Sequence, residues 1–73
     1  MLLSSLPVKN SGQIIELTAR GKQRRRLLDL GLIPGTTVIA KRKSPSGEPV
    51  AYLIRGTVLA LRKEETDLVR VVF

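Results

Sequence analysis

Residues 20–26 read RGKQRRR, five cations in seven positions, and residues 41–43 read KRK. Clustered Lys and Arg side chains bind anions or acidic surfaces, and they need other groups beside them before they catalyse anything. Those groups are missing. The chain has no histidine and no cysteine, so Ser4, Ser5 and the threonines have no imidazole to activate them as nucleophiles. It also lacks the imidazole and thiolate ligands that suit a transition metal. Glu64, Glu65 and Asp67 are the one gathering of carboxylates, and on a charged turn they read as solvated rather than as a cation site. Gly21-Lys22 superficially resembles a phosphate loop. The glycine required five residues upstream is Glu16, and no Ser or Thr follows the lysine, so the motif fails. The expectation is a binding protein, not an enzyme, with no cofactor and no resident metal.

The basic cluster needs an element to carry it. Residues 22–30 are good helix formers, and Gly31 stands where a left-handed residue would stop the helix, with Leu32 then touching Leu27. Lys22, Arg24 and Arg25 lie in the first turns, where the helix dipole disfavours cations, and Asp29 lies in the last turn, where it disfavours an anion. Local stability did not select this order, and breaking a local rule is a mark of function. At 100° per residue Arg24 falls between Leu27 and Leu28, so its stem can cover apolar surface. Lys22 and Arg25 point away from the core.

Around this helix the pattern is one of short strands. Residues 13–17 form a first strand, with Ile15 and Leu17 expected inward. Ile33-Pro34-Gly35 is a turn. Strands over 37–43 and 49–55 make a hairpin across the loop at 44–48, with Val50, Tyr52 and Ile54 on the core face and Leu53 on the other. Gly56 allows a bend before a strand at 57–61. A helical turn over 62–67 leads to a last strand at 69–72, with Leu68 and Val72 expected outward and Phe73 sharing the inward parity of Val69 and Val71. Strands this short at this spacing predict a small barrel.

The 73 residues predict one domain over 1–73, near the size at which folding buries only about 60% of the chain's surface. Apolar residues make up 42% of it, as in a globular protein. Without cysteine, a membrane-length apolar run or a secretory start, the chain reads as cytoplasmic. Thirteen Lys and Arg against six acids give a net charge of +7, which favours an acidic partner: nucleic acid, an anionic membrane surface or a protein face. Half of the acids sit together near the C-terminus, so the surface is polarised. Small barrels that bind single strands stack bases on aromatics. Here Tyr52 and Phe73 are the only two, and both are expected in the core.

The strings RRRLLDLGLIPGTTV, SPSGEP, VAYLIRGTVLALRKEE and VRVVF together resemble the ferrous iron transport protein A family, FeoA, over nearly the whole chain. That resemblance implies a mainly β, SH3-like barrel with one short inserted helix. It also implies an accessory role in bacterial ferrous iron uptake, through contact with the cytosolic GTP-binding region of the membrane transporter, ferrous iron transport protein B (FeoB). Lys22, Arg24, Arg25 and Arg26 would meet an acidic protein face, and outward Leu53 and Leu68 would add apolar contact. The alternative is a basic nucleic-acid-binding or regulator-associated barrel, since the related domain also occurs fused to metal-dependent repressors. No helix-turn-helix precedes the motif here.

Overall fold

A computed structural model describes residues 1–73. A 3-10 turn at Leu3–Ser5 precedes strand β1 (Ser11–Leu17), helix α1 (Gly21–Asp29), and strands β2 (Thr37–Lys43), β3 (Val50–Ile54) and β4 (Thr57–Leu61). A four-residue helix α2 (Lys63–Thr66) leads into β5 (Val69–Val72). All pairings are antiparallel, and the strand order is β4-β3-β2-β1-β5. The fold is thus mainly β and barrel-like, as expected, but the barrel is not closed: β4 and β5 end the sheet without pairing to each other. The N-terminus covers the β5 edge. The Met1 ammonium donates to the Val71 carbonyl, and the Val71 N–H donates back to Met1 at 2.8 Å, so a strand edge that invites foreign chains is partly occupied.

The inner face of the sheet makes the core. Val38 opposes Ile54, Ala40 opposes Tyr52, Ile14 opposes Val71 and Leu17 opposes Val69, and all eight are buried. Leu27, Leu32, Leu3 and Leu6 fill in from outside the strands. The inward placement of Ile15 was wrong. Ile14 is buried in its stead, and Ile15 is 44% exposed. Ile14 pairs with Val71 and Glu16 with Arg70, so β1 carries one residue more than β5 across this step. Such a bulge breaks strict alternation, which is how Ile14 and Leu17, three apart, both face inward. Phe73 is also corrected: it follows the last paired residue, Val72, and is 69% exposed.

The helix stop follows the expected chemistry. Gly31 takes φ of 98°, its N–H donates to the Leu28 carbonyl at 2.9 Å, and the Leu32 N–H donates to Leu27 at 3.0 Å. This double bond pattern is the Schellman motif, and it places Leu27 and Leu32 together in the core. The β3–β4 connection is one residue longer than the sequence indicated. Ile54 pairs with Thr57, leaving Arg55 and Gly56 as a two-residue turn with φ of 51° and 81°, the positive values that a type I′ hairpin demands. Arg55 is therefore a turn residue and not the end of the strand.

Asp67, after α2, accepts from the Ser4 hydroxyl at 2.5 Å and from the Lys63 ammonium at 2.9 Å. These bonds, the Ser4 one foremost, hold its carboxyl below the ordinary aspartate value. A depressed folded pKa stabilises the fold above the unfolded value, about 3.9, and that contribution is lost as pH falls through the folded value. Ser4→Ala is expected to flatten the dependence of stability on pH below about 4 while leaving it unchanged at neutrality apart from the lost bond. Urea melts at stepped pH check this. An unaltered acid limb would refute it.

Candidate partner-binding surface

The cations of α1 divide into two sets. The Arg24 guanidinium donates to the carbonyl of Leu17 at 3.1 Å, tying the helix to the end of β1. Arg26 pairs with Glu65 of α2, whose side chain is only 13% exposed and whose other oxygen accepts from the Arg62 N–H at 3.2 Å. These two arginines hold α1 in place. Arg24, near the start of the helix where the dipole disfavours a cation, is thereby accounted for by a tertiary contact, while Arg26 lies in the last turn, where the dipole favours it.

Lys22 and Arg25 stay at the surface. They line one shallow face of α1 together with Gly21, Arg26, Asp29 and Leu30. Arg25 lies 3.6 Å from Asp29, with both side chains largely in solvent, a pair worth only tenths of a kcal/mol in water. Lys22 has no carboxylate within ion-pair distance. Both are free to meet an acidic surface.

Beside them runs a groove. Leu28, Leu30 and Ile33 form one wall, and Ile54, Thr57 and Leu59 form the other, with Asp29 and Arg55 also along it. Leu28, Leu30 and Leu59 are half-buried and pack on the core from its edge, while Ile33 is exposed. Apolar walls with a charge on each side suit a protein segment, because the walls supply burial and the charges fix register. The sequence contained a signal for this groove that went unread. In LLDLGLIPG the stop needs only Leu27 and Leu32, so Ile33 is an exposed apolar residue without a core task.

The other two predicted contact residues lie elsewhere. Leu53 is half-buried on the face of β3 opposite Ile54, and so on the outside of the sheet. Leu68, expected outward, is instead half-buried between α2 and β5 and packs against the core. The six predicted residues therefore do not make one patch: Lys22 and Arg25 share a face, Arg24 and Arg26 anchor the helix, and the two leucines stand apart.

No group of three or more carboxylate, imidazole or thiolate ligands converges anywhere. No helix is long and apolar enough to cross a membrane. Tyr52 is buried, so it offers no platform to a base.

The FeoA domain model matches residues 1–72. A fusion of Fe(2+) transport protein A with the Fe(2+) transporter FeoB from Porphyromonas gingivalis is 31% identical over 71 residues, which is 97% of this chain and 8% of that protein. The chain thus corresponds to a small part of that relative's length. Among solved structures, the FeoA protein of Chlorobium tepidum superposes with a TM-score of 0.91 at 32% identity, covering 100% of this chain and 70% of that one. Stenotrophomonas maltophilia FeoA complexed with zinc, described as a prokaryotic SH3 domain protein, superposes at 0.86 with 35% identity, covering 97% of this chain and 88% of that one. A family match over nearly every residue, joined to the same fold in relatives of this identity, leads to one conclusion: the chain belongs to the FeoA domain family.

Proposed function

We propose that this protein is a cytoplasmic, non-catalytic accessory of bacterial ferrous iron uptake that docks on the cytosolic GTP-binding region of the FeoB transporter. The observation that carries this reading is the Porphyromonas gingivalis relative, in which a FeoA segment and FeoB share one chain. Covalent linkage turns docking into an intramolecular event at high effective concentration, so selection can favour fusion of two modules that already meet. The Stenotrophomonas maltophilia FeoA, described as a candidate activating factor of ferrous iron transport, supports the same role.

The docking element is the α1 face with its groove. Lys22 and Arg25 steer an acidic surface into place, and an apolar side chain of the partner enters between Leu30, Ile33 and Leu59. Rim charges act chiefly on the association rate, and the anchor acts on dissociation.

The test is titration of the transporter's isolated cytosolic domain into this protein, followed by calorimetry. Lys22→Glu combined with Arg25→Glu is expected to weaken binding at least about tenfold at physiological salt. Ile33→Ser should weaken it several-fold with little change in salt dependence. Absence of binding by the parent protein, or affinities untouched by both changes, would overturn the proposal.

A further inference from the structure

We propose that the outward face of the sheet is a peripheral docking surface for an anionic lipid bilayer. Lys41, Arg42 and Lys9 meet the headgroups there, and the side chains of Ile39, Leu53 and Val58 settle at the interface. No residue of this surface belongs to α1, and the proposal does not depend on the transporter reading.

The strand register builds it. Val58 of β4 opposes Leu53 of β3, which opposes Ile39 of β2, so three apolar residues form one row straight across the outside of the sheet. Val58 is 53% exposed and the other two are half-buried. The adjacent row is Ala60, Ala51 and Arg42. Ala40 pairs with Tyr52 and Arg42 with Ala51, so Lys41 is the extra residue of a bulge. The bulge interrupts alternation, and Lys41 and Arg42 are both exposed at the edge of the apolar row. Lys9 is held at the same place. It adopts a left-handed φ of 73°, and its N–H donates to the Ala40 carbonyl at 2.6 Å.

None of these three cations has a carboxylate within ion-pair distance. The acids are spent elsewhere: Glu16 on Arg70, Asp29 on Arg25, Glu65 on Arg26 and Asp67 on Lys63, while Glu48 accepts from the Lys63 N–H. Glu64 lies in α2. Beside Arg42 the small side chains of Ala51 and Ala60 leave a shallow dish walled by Pro45 and Pro49, with Lys43 at its rim. Such a dish has room for a phosphate-bearing headgroup.

Charge complementarity requires an anionic occupant, and the apolar row narrows the choice. A nucleic acid backbone would satisfy the cations but leave Ile39, Leu53 and Val58 without a partner, and the row holds no aromatic on which a base could stack. An anionic bilayer satisfies both at once, since headgroups take the cations and the interfacial region takes the aliphatic groups. Each Lys or Arg near such a surface contributes about fivefold in partitioning at physiological salt. Three or four cations with a short apolar row give a reversible association.

The experiment is co-sedimentation of the purified full chain with vesicles of phosphatidylcholine alone or with about one third phosphatidylglycerol, at about 0.15 M salt. The parent is expected to bind only the anionic vesicles. Lys41→Glu with Arg42→Glu should reduce partitioning at least about twentyfold. Lys22→Glu with Arg25→Glu, an identical change in net charge on α1, should reduce it by less than about threefold. Val58→Ser should weaken binding several-fold without altering the salt dependence. Thermal melts confirm folding; if the glutamate pair does not fold, the glutamine pairs at the same positions give the same comparison. No binding to anionic vesicles, or equal losses in the two charge-matched variants, would overturn the proposal. Tighter binding to a single-stranded oligonucleotide than to vesicles would do so as well, and would identify the face as a nucleic-acid surface.

Discussion

Replacing Leu27 with alanine is expected to lower the unfolding free energy by about 2 to 5 kcal/mol, a large part of the roughly 4 to 11 kcal/mol available to a chain of this length. Leu27 is the one fully buried residue of α1, and its carbonyl receives the Leu32 N–H that completes the helix stop. Truncation removes the apolar plug of the helix and leaves a cavity that the flanking strands cannot close. Leu28→Ala makes the informative comparison. By periodicity alone Leu27 and Leu28 are equivalent neighbours, and either could serve as the core residue. In the structure Leu28 is half-buried and lines the groove beside α1, so its truncation should cost about half as much or less. Denaturant melts with equal slopes would measure both changes. Equal losses would mean that the groove is closed core and that Leu28 is unavailable to a partner.

The difference between these leucines shows where sequence reasoning reached and where it stopped. Elements bounded by Gly and Pro were identified almost to the residue, because their backbone demands are local: Gly31 ends α1, Pro34-Gly35 turns the chain, and the loop at 44–48 closes the β2–β3 hairpin. Facing was read correctly wherever alternation is strict, as for Tyr52 with Ile54 and Val69 with Val71. It failed at Ile15, because a bulge depends on the partner strand, and no pattern within 13–17 reports that β5 runs one residue shorter across it. It failed again at Phe73, where parity continues but the ladder does not. The basic cluster was visible as charge, yet its division was not. Arg24 is occupied by the Leu17 carbonyl, seven residues back across the entry to the helix, and Arg26 by a carboxylate of α2, distant in sequence; both contacts exist only after folding. The same holds for the groove, which exists because β3 and β4 come to lie beside the end of α1. The family resemblance carried the fold and the family membership further than spacing or composition could.

Tyr52→Ala is the second large effect, expected at about 3 to 5 kcal/mol from the burial of a whole aromatic ring, and it bears on the nucleic-acid alternative. A small basic barrel that binds single strands places an aromatic ring at its surface, where removal abolishes binding and spares stability. Tyr52 does the opposite. It is 2% exposed and opposes Ala40 across the sheet, and burial pushes its phenol above the ordinary value, partly offset by the Thr66 hydroxyl. A raised folded pKa means that stability is fully present below the unfolded value, about 10, and falls as pH climbs past it toward the folded one. Because this is the single tyrosine of the chain, phenolate absorbance on alkaline titration reports the site without interference. Ionisation should coincide with loss of structure. Tyr52→Phe, which keeps the ring and removes only the hydroxyl, should cost no more than about 1 kcal/mol and remove that alkaline transition. Phe73→Ala, at an exposed terminal ring, should stay within about 0.5 kcal/mol. If Tyr52→Ala instead leaves the melts unchanged and removes binding to a single-stranded oligonucleotide, the ring is a stacking platform, and the reading of this barrel as a protein-docking module fails with it.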